Sequence, residues 1–256
     1  LDEALAAATH TPETAAMEPR PWRKYDTLLT RNRGLYGRLF DSGPPNLNKV
    51  LRWAKFADWL TGTESAAPVC RLAGDILAPA ASVDGPVVVI QLFSAVKRKQ
   101  SRPALFQRII ESLPAGTRVV ITGASRDLEA NGDYKPLLQM PGVEFDSSGF
   151  ADLVPLLRAA TLVISVDTAL MHLAVAVGAP TLGLASAAYV GEIVPYDPAI
   201  APGNARFVYH SMPCEGCLGA CIHPAEDGMF PCVARLDQAR IITEVREMMT
   251  ARAPSQ

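Results

Sequence analysis

One segment of the chain combines residue types that suit phosphate binding. Asp167 and Thr168 follow an apolar run, and His172 comes four residues after the threonine. If a helix begins at Ala169, its first N–H groups and the Thr168 hydroxyl form an anion site. His172 then lies one turn further along the same face. A purely structural alternative is that Asp167 or Thr168 only caps the helix and that His172 is a core histidine.

A second segment is a basic loop. Lys97, Arg98 and Lys99 follow another apolar run and precede a predicted helix. Three cations at such a place can neutralise a diphosphate; the alternative is a solvated basic loop. The chain has neither the glycine fingerprint of dinucleotide-binding folds nor the P-loop motif. Neither nicotinamide chemistry nor P-loop chemistry is therefore indicated.

Four cysteines lie close together near the end of the chain, with the spacing C-x2-C-x3-C-x10-C. They are Cys214, Cys217, Cys221 and Cys232. Four thiolates at short spacing suit a closed, structural zinc site, and the same spacing can hold an iron–sulfur cluster. Reduced buried cysteines, or disulfides formed on oxidation, are the alternatives. No catalytic metal is expected.

Hydrophobic patterns predict the elements that position these segments. Nearly continuous apolar runs indicate strands buried on both faces, and helical spacing of apolar residues indicates helices. Strands that alternate with helices predict a doubly wound parallel sheet, in which ligands bind beyond the carboxyl ends of the strands. The predicted strands are 87–93, 118–122, 143–145, 161–166 and 181–185. The predicted helices are 103–113, 152–160, 169–177 and 237–249.

The earlier part of the chain has a weaker pattern. The stretch 61–86 is rich in Pro and Gly, and it is the best candidate for a domain boundary. We therefore expect a first region over 1–85 and a second domain over 86–256. The predicted elements of the first region are an irregular arm over 1–22, a strand over 25–30 and an amphipathic helix over 46–60 with Asn46 as its N-cap.

Composition excludes several classes of protein. The 256 residues include 24 Lys and Arg against 26 Asp and Glu, and the net charge of −2 argues against a dedicated nucleic-acid binder. With 49% apolar residues the chain is globular rather than disordered. We find no apolar run of about 20 residues that predicts a transmembrane helix, and no signal-peptide core. We expect a cytoplasmic protein, of which this chain is a part.

The sequence around Asp167 resembles the most characteristic segment of glycosyltransferase family 9, the ADP-heptose–lipopolysaccharide heptosyltransferases and their relatives. That segment is a strand, then D-T-G-x-x-H, then A-A-x-G-x-P-T, and its counterpart here is LLRAATLVISVDTALMHLAVAVGAPTLGLAS. The family's phosphate loop is similar to FSAVKRKQSRPALFQRII, with Ser94 and Lys99 at the hydroxyl and lysine positions and Lys97 as the competitor. The family's G-x-x-x-E is similar to the start of GASRDLE, which places Asp127 at the acidic position.

This resemblance implies a GT-B fold, in which the C-terminal one of two Rossmann-like domains holds a nucleotide-sugar. It implies that the protein transfers a sugar from ADP-heptose to a lipopolysaccharide-core or similar glycan acceptor. It also implies that the protein makes at most peripheral contact with a membrane. Asp167 and His172 are the residues expected to act in catalysis. The implied donor site comprises Ser94, Lys97, Lys99, Gly123, Asp127, Asp167, Thr168, Ala169, Leu170 and His172.

Two departures from the family pattern favour alternatives. The glycine after Asp-Thr is Ala169 here, which adds a Cβ where the family's backbone approaches the diphosphate. The family's opening strand and glycine-bearing loop, which carry the catalytic carboxylate, have no counterpart in residues 1–85, so we expect the general base to lie outside this sequence. One alternative is a catalytically inactive domain that binds a nucleotide-sugar or a partner. Another is an epimerase of the same fold, whose glutamate-centred motif we do not find.

Overall fold

The structure is a computed structural model that describes residues 8–9, 11, 13–18, 26–44 and 46–251. The chain divides into two compact units, Leu1–Pro68 and Val69–Gln256. The stretch 69–86, which precedes the predicted boundary, therefore belongs to the second unit. The expected division at residue 85 into an acceptor-side region and a donor-side domain stays a prediction.

The first unit contains a small parallel sheet. Strand β1 (Ala15–Met17) pairs with strand β2 (Arg38–Phe40), and helix α1 (Asp26–Arg33) lies between them in sequence. β1 falls inside the predicted irregular arm, most of which lies outside the described residues. The strand predicted over 25–30 is wrong, because the part of it that is described belongs to α1. Two arginines in the last turn of this helix stabilise its negative end.

Helix α2 (Lys49–Thr61) occupies most of the predicted amphipathic helix. Its N-cap is Asn48 rather than Asn46, because the Asn48 side chain accepts a hydrogen bond of 3.0 Å from the Val50 N–H. Asn46 has a positive φ of 62° and lies in the preceding turn. Gly62, in the left-handed conformation, ends the helix.

The second unit is built on a six-stranded parallel sheet. Its strands are β3 (Val87–Gln91), β4 (Arg118–Thr122), β5 (Val143–Asp146), β6 (Leu162–Val166), β7 (Thr181–Leu184) and β8 (Ala205–Val208). Their order is β5-β4-β3-β6-β7-β8, and every neighbouring pair is parallel. From the central pair β3 and β6, successive strands are added in opposite directions across the sheet. Such a reversal of strand order leaves a crevice at the carboxyl ends of the two strands.

Helices cover both faces of this sheet. They are α3 (Pro103–Glu111), α4 (Ser125–Ala130), α5 (Phe150–Ala159), α6 (Ala169–Ala176), α7 (Pro231–Ala234) and α8 (Gln238–Thr250). Alternate residues of a strand face opposite sides. Val88 and Ile90 therefore pack with α3 and α8, whereas Val87 and Val89 pack with α5 and α6. The predicted α/β class with a doubly wound parallel sheet is confirmed.

Some elements of the second unit differ from the prediction. β3 ends at Gln91, although Leu92 and Phe93 beyond it remain buried, so the apolar run is longer than the strand. The prediction missed β8, α4 and α7. Of the four residues of β8, Val208 is the one that is fully buried, so this edge strand has no apolar run that reveals it.

Gly183 in β7 occupies a place where a side chain does not fit. A Cβ there would lie 2.6 Å from the Phe207 ring and 2.8 Å from the Met171 sulfur. We expect Gly183→Ala to lower the free energy of unfolding, measured in urea, by about 1–3 kcal/mol, the range for an overpacked core.

The matched control for that substitution is Gly203→Ala. No described atom lies within 4 Å of a Cβ at that position. We expect Gly203→Ala to change the free energy of unfolding by less than about 0.5 kcal/mol. Equal effects of the two substitutions would contradict the packing explanation.

Candidate functional site

A cavity of about 340 Å³ lies at the carboxyl ends of the central strands. Its lining comes from the ends of β3 and β4 and from the loops after β3, β4, β5 and β6. The donor-site residues predicted from the sequence that line it are Ser94, Gly123, Asp127, Thr168 and Leu170. Lining residues that the prediction missed include Gln91, Thr122, Ser147, Ser148 and Phe150. Each of these residues lies at the end of a predicted strand or just after one. Its position in the fold is therefore the signal that could have found it.

Two buried polar side chains set the floor of this cavity. The Thr122 hydroxyl donates to Gln91 Oε1 at 2.8 Å, and Gln91 Nε2 donates to the Phe93 carbonyl at 2.9 Å. Gly123 has a packing reason to be glycine, because a Cβ would lie 2.5 Å from the Phe93 ring. The loops after β3 and β4 are thereby held against each other.

The basic loop and the Asp-Thr segment meet in a buried ion pair. Lys99 Nζ is 2.8 Å from Asp167 Oδ2, and the two side chains are 11% and 4% exposed. The Lys99 ammonium also lies 4.6 Å from the centroid of the Tyr189 ring, within range of a cation–π contact. Ser186 Oγ lies 3.5 Å from Asp167 Oδ2. Asp167 therefore orients a lysine across the crevice.

The three basic residues of the loop have different environments. Lys97 is exposed and lines a separate, smaller cavity together with Arg102 and Asp227. Arg98 places its guanidinium 4.3 Å from the centroid of the Phe230 ring. Lys99 is the member that faces the Asp167 loop. The structure thus separates Lys99 from Lys97, which the sequence left as competitors.

Helix α6 begins directly beside the ion pair. Thr168 is its N-cap residue, and the Thr168 side chain makes no capping hydrogen bond. The N–H groups of Ala169 and Leu170 open the helix, so no carbonyl of the helix precedes them as an acceptor. The helix end and the threonine hydroxyl are therefore available to an anion. Ala169 is exposed, whereas Leu170 is buried in the core.

His172 is held by a tyrosine that the sequence analysis missed. Its Nδ1 lies 2.6 Å from the Tyr196 hydroxyl oxygen, and the centroids of the two rings are 5.7 Å apart. Burial lowers the pKa of His172, Asp167 raises it and Lys99 lowers it. Burial also raises the pKa of the Tyr196 hydroxyl. Tyr196 lies 24 positions after the histidine, in the long connection from β7 to β8, and no spacing rule links the two.

The cysteine segment folds against the loop that follows β7. The N–H groups of Gly216 and Leu218 donate to the carbonyls of Ala187 and Ala188 at 2.9 and 2.8 Å. Tyr189, whose ring contacts Lys99, is the next residue of that loop. The segment is therefore bonded to the backbone that carries part of the candidate site.

The four clustered cysteines are free thiols. Within the part of the chain that the structure describes, no group of three or more His, Cys, Asp and Glu side chains is arranged to hold a metal ion. Cys232 is instead buried in the hydrophobic core. Burial raises the pKa of its thiol, whereas hydrogen bonds from the backbone of Ala187 and Ala188 lower it. The zinc or iron–sulfur site predicted from the spacing stays a sequence-based prediction.

Comparison with protein families identifies the chain. The family model for glycosyltransferase family 9 (heptosyltransferase) matches residues 44–205, more than half of the sequence. The chain belongs to glycosyltransferase family 9. The match includes the basic loop, the Lys99–Asp167 pair and His172, whereas the cysteine segment lies beyond it. No curated protein matches the chain in the corresponding sequence comparison.

Solved structures of this family share the fold. A family 9 glycosyltransferase from Veillonella parvula DSM 2008 is 15% identical, with 97% of this chain and 70% of that chain covered and a TM-score of 0.66. The ADP-heptose LPS heptosyltransferase II of E. coli is also 15% identical, with coverages of 97% and 80% and a TM-score of 0.57. The E. coli heptosyltransferase WaaC with ADP is 18% identical, with coverages of 96% and 76% and a TM-score of 0.57. The predicted GT-B type is therefore confirmed.

Across the described ranges, no helix combines the length and apolar character that a membrane span requires.

The lowered pKa of His172 predicts a pH-dependent stability. Because the folded pKa lies below the unfolded value of about 6.5, the unfolded chain binds more protons between these values. The contribution of His172 to stability is complete above about pH 6.5, and it is lost as the pH falls through the folded pKa.

The test compares wild type with His172→Gln, which does not titrate. We expect the free energy of unfolding of wild type to decline more than that of His172→Gln between about pH 7.5 and about pH 5.5. Parallel declines in the two proteins would show that the pKa of His172 is not lowered.

Proposed function

We propose that this family 9 chain transfers a sugar from a nucleotide-diphosphate donor, ADP-heptose, to a lipopolysaccharide-core or similar glycan acceptor. One observation carries the proposal: Lys99, Asp167 and the open end of α6 meet beside a cavity at the carboxyl edge of the sheet. This is the place where open α/β sheets bind ligands.

The cavity offers different chemical groups on its two sides. Thr168 follows β6, on one side of the lining, and Asp127 follows β4, on the other. We assign the diphosphate to the Thr168 side, where α6 presents N–H groups. We assign the nucleoside to the Asp127 side, where a carboxylate can accept hydrogen bonds from ribose hydroxyls. Phe150, whose side chain is large, apolar and 54% exposed, lines this side and can pack against the base.

The same groups can stabilise the leaving nucleotide. Glycosyl transfer places growing negative charge on the diphosphate, and fixed donors aimed at that charge lower the barrier. Lys99 supplies a cation there, and α6 supplies oriented amides. The roles proposed for Asp167 and His172 are to orient Lys99 and to contact the donor.

The donor and the acceptor are assigned by analogy. The structural neighbours include an ADP-heptose LPS heptosyltransferase and a heptosyltransferase with ADP bound. A cytoplasmic location with at most peripheral contact at the inner membrane is part of the proposal, as is the absence of a nucleic-acid partner. The competing proposal is a catalytically inactive domain that binds the nucleotide-sugar.

The first test is calorimetric titration with ADP, UDP and GDP. We expect selective ADP binding, and we expect Lys99→Met to weaken it by about 1–3 kcal/mol, the range for a hydrogen bond to a charged group. Lys97→Met is the matched control, because Lys97 is exposed and does not face the Asp167 loop. Equal affinities of wild type and Lys99→Met would remove Lys99 from the phosphate site.

The second test is sugar transfer itself. ADP-heptose and heptose-deficient lipopolysaccharide are incubated with the chain, and the glycan is analysed by mass spectrometry. If the chain holds its own general base, we expect addition of one heptose, with kcat lowered about 100- to 1,000-fold in Lys99→Met, as for loss of one preorganised donor. ADP binding without any transfer would favour the inactive binding domain.

A further inference from the structure

The ring of His172 is held at one edge by Tyr196. The Tyr196 hydroxyl oxygen meets Nδ1 at 2.6 Å, and the planes of the two rings are nearly parallel, with an interplanar angle of 11°. Tyr196 is itself held by Phe207, with ring centroids 5.2 Å apart. The imidazole therefore cannot turn its other edge towards the hydroxyl without losing a short hydrogen bond.

The identity of the donor in this hydrogen bond decides the chemistry of the histidine. A neutral imidazole carries one proton, on Nδ1 or on Nε2, and the nitrogen without it is an acceptor. The Tyr196 phenol keeps its proton at neutral pH, since an ordinary phenol has a pKa of about 10 and burial raises that of Tyr196 further. Among the described residues Nδ1 is the only acceptor that the Tyr196 O–H meets, so we take the O–H to donate to Nδ1, which places the ring proton on Nε2.

The opposite edge of the ring is the edge open to a ligand. Within the described ranges Nε2 of His172 forms no hydrogen bond. His172 lies on the helix whose N-cap residue directly follows Asp167, and the charges of both Asp167 and Lys99 act on the imidazole. Burial has the largest effect and disfavours a second cation at this place, as does the Lys99 ammonium, whereas Asp167 favours one.

We propose that Tyr196 is a positioning residue that fixes His172 as a neutral Nε2–H donor for an anionic oxygen of the nucleotide diphosphate. The identity of the ligand rests on the proposed function, whereas the tautomer does not. A histidine with its proton on Nε2 cannot take a proton from an acceptor hydroxyl at that atom. His172 therefore binds the nucleotide-sugar donor and is not the general base of the reaction.

The tautomer can be measured directly on the full chain. The sequence has four histidines, so a chain labelled with 15N-histidine gives few signals, and His172→Gln identifies the one from His172. At a pH where His172 is neutral, we expect a protonated-type shift at Nε2 and an unprotonated-type shift at Nδ1. In Tyr196→Phe, which keeps the aromatic ring and removes the hydroxyl, we expect a mixture of both tautomers.

The matched control is Tyr189→Phe, which removes a hydroxyl from another ring of the site. Tyr189 contacts Lys99 rather than His172, so this variant should keep the Nε2–H tautomer. A protonated Nδ1 in wild type would overturn the proposal, and so would an unchanged tautomer in Tyr196→Phe.

Titration with ADP tests whether His172 donates a hydrogen bond to the diphosphate. We expect Tyr196→Phe to weaken ADP binding about two- to tenfold, the range for one hydrogen bond between neutral groups. His172→Gln retains an N–H donor and should bind ADP more tightly than His172→Leu, which has none. Equal affinities of these two variants for ADP would show that His172 does not donate a hydrogen bond to it. If wild type shows the Nε2–H tautomer and binds no ADP, the proposed function fails while the assignment of Tyr196 is supported.

Discussion

The buried contact between Lys99 and Asp167 joins the two loops between which the strand order reverses. Both side chains are almost fully shielded, so removal of either partner leaves an uncompensated charge in a poorly solvated place. Ser94, which lines the cavity, lies on one of these loops, and the start of α6 lies on the other. Together with the pairing of β3 and β6, this contact therefore sets the separation of the candidate phosphate-binding groups.

The pairing also limits what Lys99 can do. Its charge is already balanced by Asp167, so the diphosphate of the proposed donor would meet a net neutral pair rather than a free cation. On that proposal, the additional negative charge of the ligand falls to neutral donors, which are the α6 amides, the Thr168 hydroxyl and His172. A site of this type recognises its ligand through oriented dipoles as much as through charge.

The sheet was predictable because its strands are buried on both faces. Strands such as β3 and β6 give continuous apolar runs, and the Asp-Thr segment follows one of them. The loop residues Ser94, Gly123, Asp127 and Thr168 could be placed from the rule that ligands bind at the carboxyl ends. Local sequence and one topological rule were therefore sufficient to place these four residues in the site.

Other contacts of the site are made by residues that no local sequence pattern identifies. Tyr196 reaches His172 from a long connection, and Tyr189 reaches Lys99 from the loop after β7. α1 was predicted as a strand because its short apolar run gives no clear period. The cysteine spacing suggested a metal cage, but Cys232 packs in the hydrophobic core, a tertiary preference that spacing does not reveal.

The position of β3 at the centre of the sheet has a consequence for how the site assembles. β3 pairs with β6, and the Val87 N–H donates to Thr161 Oγ1 across 74 positions of the chain. Closing so long a loop has an entropic cost, and the loop contains α3, β4, β5 and α5. The crevice between β3 and β6 therefore joins segments that are distant in sequence, and its shape depends on the whole sheet rather than on any local element.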